Sequence, residues 1–383
     1  MADMWRKLVA LMRFDGFGPG VKTNPLKART APRVTPLAEA PFAPNPGNLR
    51  MFRYLPRGLK AGSPLVVVLH GCGQTAAGYD LGAGWCQLAD QLGFAVLAPE
   101  QKAVNNPNTC FNWFNPEDIT RGQGEAASIA AMIQTLIETH RLDGGRVFIT
   151  GLSAGGAMAS VMLANYPERF AGGAIIAGLP FGAAANVRDA LESMRSAPMK
   201  TPHQWGDAVR AASDYRGPWP RISIWHGAAD VVVNINNAQA SVAQWSDVQE
   251  LSLGAAKQEM VDGAVRLRWD SRLEVYTLQA LGHGTPIDSA DVGQPGPFII
   301  DAGISSTRRI AEFWGLVPAA VSKPAPKSEP RPGPARMPPL PQPVLPHIEE
   351  VLFEASASVQ TQAPAKMMEG LIRRALKAAG LLR

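Results

Sequence analysis

The sequence predicts an α/β fold, with a mostly parallel central sheet and helices on both faces. Three observations lead there. Continuous apolar, β-branched runs recur along the chain, as at 64–69 (PLVVVL) and 94–98 (FAVLA). Such runs are the pattern of strands buried on both faces. Stretches of helical spacing alternate with them, which is the signature of a parallel sheet. One strand also runs directly into Gly151-Leu152-Ser153-Ala154-Gly155 and then into small residues that can start a helix.

The elements follow in order. Residues 1–46 show little regular pattern beyond a short helix around 5–14. Residues 50–54 (RMFRY) alternate and stop at Pro56, which reads as an antiparallel strand. The run 64–69 ends in His70-Gly71-Cys72-Gly73-Gln74. A helix is expected over 85–92, and 94–98 is the next buried strand. Within 125–140, apolar residues fall at Ile129, Met132, Ile133, Leu136 and Ile137, which is helical spacing. The helix after Ser153 ends near Tyr166-Pro167, and 173–177 is another short strand. Residues 179–220 interrupt the alternation. They are rich in Gly, Pro and Ala, with helical stretches near 187–194 and 205–212, and read as an insertion over the active-site end of the sheet. Strands resume at 221–225. Asp262-Gly263 turns a hairpin joining 258–261 to 264–269. Residues 274–277 form the last sheet strand and 305–314 the closing helix.

Composition bounds the function. The chain has 383 residues, 46% hydrophobic and 18% charged, enough for a large core. A net charge of +5 over that length gives little reason to expect a nucleic-acid partner. No apolar run reaches the roughly 20 residues needed to span a bilayer. Near the N-terminus only residues 8–12 separate Arg6 and Lys7 from Arg13, too short for a signal-peptide core. A cytoplasmic location is therefore expected. The cysteines are Cys72, Cys86 and Cys110. An odd count does not describe a disulfide scaffold, though one bridge stays open. Pro-rich sequence fills 317–346, a linker expected to be extended. The tail 347–383 contains a basic amphipathic pattern, with Leu371, Ile372 and Leu376 on one side and Arg373, Arg374 and Lys377 supplying charge. It reads either as contact with a polymer granule or membrane surface, or as a weakly structured tail or a helix docking on its own domain. The predicted organisation is thus 1–46, a main domain at 47–316 with its insertion at 179–220, a linker and a tail.

The chemistry sits in loops at the carboxyl ends of the strands. In the strand–turn–helix context, G-x-S-x-G is a nucleophile elbow that holds a serine hydroxyl clear of the sheet. The alternative is a glycine-rich connection whose serine merely caps a helix. Asp230 follows the strand 221–225 in WHGAAD, and His283 follows the strand 274–277 in LGHG. The chain order Ser153, Asp230, His283 is that of hydrolases built on such sheets. A serine hydroxyl needs a base, an imidazole ordinarily titrates near neutrality, and a carboxylate fixes its tautomer. Asp270 and Asp288 are nearby rivals, but neither directly follows a buried strand. The oxyanion donors are expected to be the backbone N–H groups of Ala154 and Cys72. No separate base is placed for the Cys72 thiol. His70 is read as orienting its loop, and His226 as structural.

Taken together, 70–75 (HGCGQT), 99–101 (PEQ), 110–114 (CFNWF), 122–125 (GQGE), 151–159 (GLSAGGAMA), 217–230 (GPWPRISIWHGAAD) and Gly282-His283 resemble the polyhydroxybutyrate (PHB) depolymerase family of esterases. The resemblance covers about residues 50–315. It implies the α/β-hydrolase fold and ester hydrolysis through Ser153, Asp230 and His283, with no metal or organic cofactor. The expected substrates are short-chain carboxylic esters or oligomers of 3-hydroxybutyrate, and the alternative is a feruloyl- or acetylxylan-type carbohydrate esterase. An alternative of another class is an inactive hydrolase scaffold that binds granules or membranes through its tail. The resemblance also places Trp113 near the cleft as a substrate-binding residue, with a core position as the other reading. After His283 this chain reads Gly284-Thr285-Pro286-Ile287-Asp288, where many relatives have an aromatic residue and further glycines. Many relatives are secreted, which makes export the alternative location. A Cys72–Cys110 bridge would suit an exported enzyme, leaving Cys86 free, whereas in the cytosol it should stay reduced.

Overall fold

In the computed structural model, residues 35–317 are described and lie within one unit of the chain. The helix expected around 5–14, the Pro-rich linker and the C-terminal amphipathic stretch lie outside them. In chain order the elements begin with β1 (Ala38–Glu39), β2 (Arg50–Tyr54), β3 (Leu65–Leu69), α1 (Ala76–Ala83), α2 (Trp85–Leu92) and β4 (Ala95–Glu100). They continue with α3 (Pro116–Ile119), α4 (Gly124–His140), β5 (Val147–Leu152), α5 (Ala154–Asn165), β6 (Gly172–Ile176), α6 (Val187–Arg195), α7 (Pro202–Arg210) and β7 (Arg221–Gly227). Last come α8 (Asn236–Val248), β8 (Lys257–Val261), β9 (Ala264–Trp269), β10 (Leu273–Leu278), β11 (Thr285–Ile287), β12 (Ile299–Asp301) and α9 (Ser306–Phe313).

The main sheet has the order β1-β2-β4-β3-β5-β6-β7-β10-β9-β8. Its centre, from β4 to β10, is parallel. Both margins are antiparallel. The fold starts earlier than residue 47, because β1 pairs with β2 and the Ala40 N–H donates to the Met51 carbonyl. That early pairing has no signal in its two exposed residues.

Strand alternation divides the core between the two faces of the sheet. Leu65, Val67 and Leu69 of β3 pack on one side with α4, α5 and α8. Val66 and Val68 pack on the other with α1, α2 and α9. All five β3 residues are buried, which is why the run reads as continuously apolar. From β3 the chain moves to β4 on one side and later to β5 on the other. Connections that diverge in this way leave a crevice outside the strand carboxyl ends, where open α/β sheets bind ligands.

The insertion divides in two. Helix α7 opens with a capping box, Thr201 accepting from the Gln204 N–H and Gln204 from the Thr201 N–H. It packs on α8 and sends Trp205 and Val209 into the core. This half extends the helical layer on the sheet face. The end of α6 reaches the strand-end loops, where the Met194 carbonyl accepts from the Asn234 N–H. Helix α8 itself is absent from the sequence-based expectation. Its run NNAQASVAQWSDV is polar in composition, and its burial comes from Gln244, Ser241 and Asn237 bonding to backbone groups.

Candidate active site

The strand β5 delivers Ser153 into an abrupt reversal. Ser153 has φ 57° and ψ −117°, a region that non-glycine residues rarely occupy. The turn is held on both sides. The Ser153 N–H donates to the Ile176 carbonyl at the end of β6, and the Ser153 carbonyl accepts from Ala157 N–H in α5. A methyl group on Gly155 would overlap the Leu69 and His70 carbonyls at the end of β3, so the turn and that loop touch through bare backbone. Close approach explains the glycine two residues after the serine and brings the loop at 70–74 beside it.

That loop is built around His70, which is fully buried. The Gln101 N–H donates to its Nε2 at 3.1 Å. Nε2 is therefore the unprotonated nitrogen, and Nδ1–H donates to the Gly71 carbonyl at 2.8 Å. Burial pushes the imidazole down to about 4, against the opposing bond to Gly71, so it stays neutral. The Gly71 carbonyl and Cys72 N–H belong to one peptide group. Holding the carbonyl into the protein turns the N–H outward. A disulfide from Cys72 to Cys110, with Cα atoms 4.2 Å apart, and a bond from Gly73 N–H to the Asn108 carbonyl tie the same loop to its neighbour. Among the described residues, neither Cys72 N–H nor Ala154 N–H donates to a protein acceptor.

Asp230 and His283 meet as expected. Asp230 Oδ2 accepts from His283 Nδ1 at 2.7 Å, and the Asp230 side chain is fully buried. Its other oxygen accepts from Val232 and Val233 N–H at 2.8 and 2.9 Å. His226 Nε2 donates to the Val233 carbonyl and lies 3.4 Å from Asp230 Oδ2, which fixes the acid's loop and makes His226 structural. Burial alone would raise Asp230, but the bonds from His226 and His283 prevail and hold it well below the usual carboxylate range. The two loops are joined by Ala229 N–H to the Leu281 carbonyl. The rival carboxylates are engaged elsewhere, Asp270 with Arg272 and Asp288 with Ala290 N–H.

His283 Nε2 and Ser153 Oγ are not joined by a hydrogen bond among the described residues. Such bonds are often long before substrate arrives. Trp113 is 7% exposed and packs perpendicular to Phe114 in the apolar core, so it offers little surface to a substrate. Sequence reading missed Phe298, whose ring stands edge-to-face 5.8 Å from the His283 ring.

An elbow serine, a buried Asp–His pair and a mainly parallel ten-stranded sheet define an α/β-hydrolase. Within that class the chain belongs to the family described as Esterase PHB depolymerase, whose profile matches residues 49–258. The match contains Ser153 and Asp230, and His283 lies beyond it. Poly(3-hydroxyalkanoate) depolymerase C of Paucimonas lemoignei is 43% identical over 286 residues, covering 72% of this chain and 69% of that one. An acetylxylan esterase of Coprinopsis cinerea is 34% identical, covering 66% and 69%. Feruloyl esterase B of Thermothelomyces thermophilus is 32% identical, covering 66% and 89%. Among solved structures, an acetyl xylan esterase from Aspergillus awamori superposes with a TM-score of 0.64 at 26% identity, over 74% of this chain and 100% of that chain.

Proposed function

We propose that this chain is a serine esterase that hydrolyses short-chain carboxylic esters or 3-hydroxybutyrate oligomers through an acyl-enzyme. The observation that carries the reading is the 2.7 Å bond from His283 Nδ1 to Asp230, beside a serine held at φ 57°. With Nδ1–H donated to the carboxylate, Nε2 is left as the base. Ser153 Oγ attacks the ester carbonyl carbon while its proton passes to His283 Nε2. The N–H groups of Ala154 and Cys72 receive the oxyanion. Collapse breaks the bond to the alcohol oxygen, which takes the proton from His283. Water then attacks the acyl-enzyme, again giving its proton to Nε2, and releases the acid and the serine.

The 43% identity to a polyhydroxyalkanoate depolymerase favours polyester oligomers. The superposition on an acetyl xylan esterase supports a carbohydrate-ester substrate as the second reading. The Cys72–Cys110 bond supports an oxidising compartment over the cytosol, since such bonds are kept reduced in cytosol. Granule or membrane contact through the tail belongs to residues outside those described.

Comparison of wild type and Ser153→Ala on p-nitrophenyl acetate, p-nitrophenyl butyrate, methyl ferulate and 3-hydroxybutyrate oligomers tests the reading. Hydrolysis of the butyrate ester or the oligomers, lost on substitution, is expected. Preference for ferulate would favour the carbohydrate-ester reading. Activity on none of the four by folded protein would remove the esterase assignment.

A further inference from the structure

Phe298 occupies an unusual backbone position. Gly296-Pro297-Phe298-Ile299 forms a tight turn closed by Ile299 N–H to the Gly296 carbonyl at 2.9 Å. Proline at the second position and positive φ at the third are the pattern of a type II turn, whose third position asks for glycine or asparagine. Here it holds phenylalanine at φ 60°. Among the described residues it is the only aromatic side chain at positive φ. A bulky residue there is disfavoured, and such outliers gather at functional sites. Phe298 is also 42% exposed, although most large apolar residues of the domain are buried.

The turn is clamped between the two halves of the site. The Phe298 carbonyl accepts from Thr285 N–H at 2.9 Å, two residues beyond His283. Gly284 lies against that carbonyl so closely that a methyl group would meet it at 2.8 Å. From the other side Gln74 Nε2 donates to the Pro297 carbonyl at 3.2 Å, while Gln74 Oε1 accepts from Gly71 N–H. The loop of Cys72 and the loop of His283 thus both hold this turn, and the strained residue within it directs its ring at the imidazole, 5.8 Å away at 75°.

We infer that Phe298 is a specificity-determining residue, forming the apolar wall that contacts the alcohol half of the ester. The inference rests on the esterase reading and deepens it. The side follows from the chemistry. The imidazole must face both Ser153 Oγ and the leaving alcohol oxygen, since it passes the proton from one to the other. The N–H groups of Cys72 and Ala154 face the carbonyl oxygen instead. A ring beside the imidazole therefore borders the group attached to the leaving oxygen. An exposed phenyl edge offers that group apolar contact and no hydrogen bond, so it selects alkyl or aryl alcohols over small or hydroxylated ones.

The test uses the full chain and two ester series, butyrates of methyl, butyl and benzyl alcohol, and methyl esters of acids with two to six carbons. Phe298→Gly removes the ring and suits the turn, so its Tm should equal or exceed that of wild type. The kcat/KM ratio of butyl to methyl butyrate should fall about tenfold, within the range that a few apolar contacts supply. Phe298→Tyr keeps the ring and should keep the ratio. Ratios along the acid series should move by less than threefold. A butyl-to-methyl ratio within threefold of wild type, or an equal loss along both series, would overturn the inference while leaving the esterase reading intact. If wild type shows no Ser153-dependent hydrolysis, the esterase reading fails and this inference with it.

Discussion

At the scale of single residues, Asp230 and His70 fix the orientation of the groups beside them. Asp230 accepts from Nδ1–H of His283 and thereby fixes the tautomer that leaves Nε2 free. Asp230→Asn would present an amide N–H to Nδ1 and push the ring proton to Nε2. Its kcat should fall by about 10⁴-fold with KM little changed, by the precedent of triads carrying this substitution. Steady-state kinetics on p-nitrophenyl butyrate reads both constants. His70 acts one step further out, through the peptide that carries Cys72 N–H. His70→Ala should lower kcat by roughly 10- to 100-fold, part of the loss expected for removing one oxyanion donor outright. A purely structural role would lower Tm and the active fraction without moving kcat per titrated site. The sequence places His70, Asp230 and His283 in strand-end loops; the structure pairs Asp230 with His283 and ties His70 to Gly71 and Gln101. It does not show Phe298, because the contact depends on a turn 15 residues downstream of His283 that no periodic pattern announces.

At the scale of elements, the elbow and the buried parallel strands were legible because their constraints are local. Two glycines flank the serine where backbones collide, and strands buried on both faces carry no polar alternation. Helix α8 was not legible, since its polar residues are satisfied by partners distant in sequence, such as Gln244 with Phe181 and Trp205. Strand β10 holds a further departure. Glu274 is 1% exposed, with Oε1 accepting from Ser223 Oγ at 2.8 Å and Arg266 3.7 Å from Oε2. Burial raises it to about 7, against the Ser223 bond and the arginine. The folded state therefore binds this proton more tightly than the unfolded chain. Stability from this group is present at pH below the unfolded carboxyl range and is lost as pH rises towards 7. Thermal melts between pH 4.5 and 7.5 should show Glu274→Gln flattening that decline relative to wild type. A parallel decline in both proteins would assign the pH dependence to other groups.

At the scale of the whole molecule, the described domain combines a two-faced core with one covalent tie next to the site. The Cys72–Cys110 bond spans 38 residues. Chain-entropy arithmetic gives a bond of that span about 4 kcal/mol. The double variant Cys72→Ser/Cys110→Ser should lose stability of that order in urea unfolding, and Cys86, buried and unpaired, should leave no thiol accessible to Ellman's reagent in folded wild type. The start of the folded part was not legible at residue 47, because β1 is two exposed residues defined only by pairing with β2. Removal of residues 318–383 tests the expectation for the tail. A chain ending at 317 should keep hydrolysis of a soluble ester, and loss of binding to polymer granules or anionic vesicles would identify the tail as an adaptor.

The central claim is that Ser153 forms the acyl-enzyme, and the most direct measurement is covalent capture. Wild-type protein would be treated with a fluorophosphonate and digested, and the adduct located by mass spectrometry. The account predicts a single stoichiometric adduct on the peptide containing Ser153, formed in step with loss of esterase activity and absent from Ser153→Ala. An adduct on another residue that tracks inactivation, or full inactivation resistance in an enzyme that still hydrolyses esters, would contradict it.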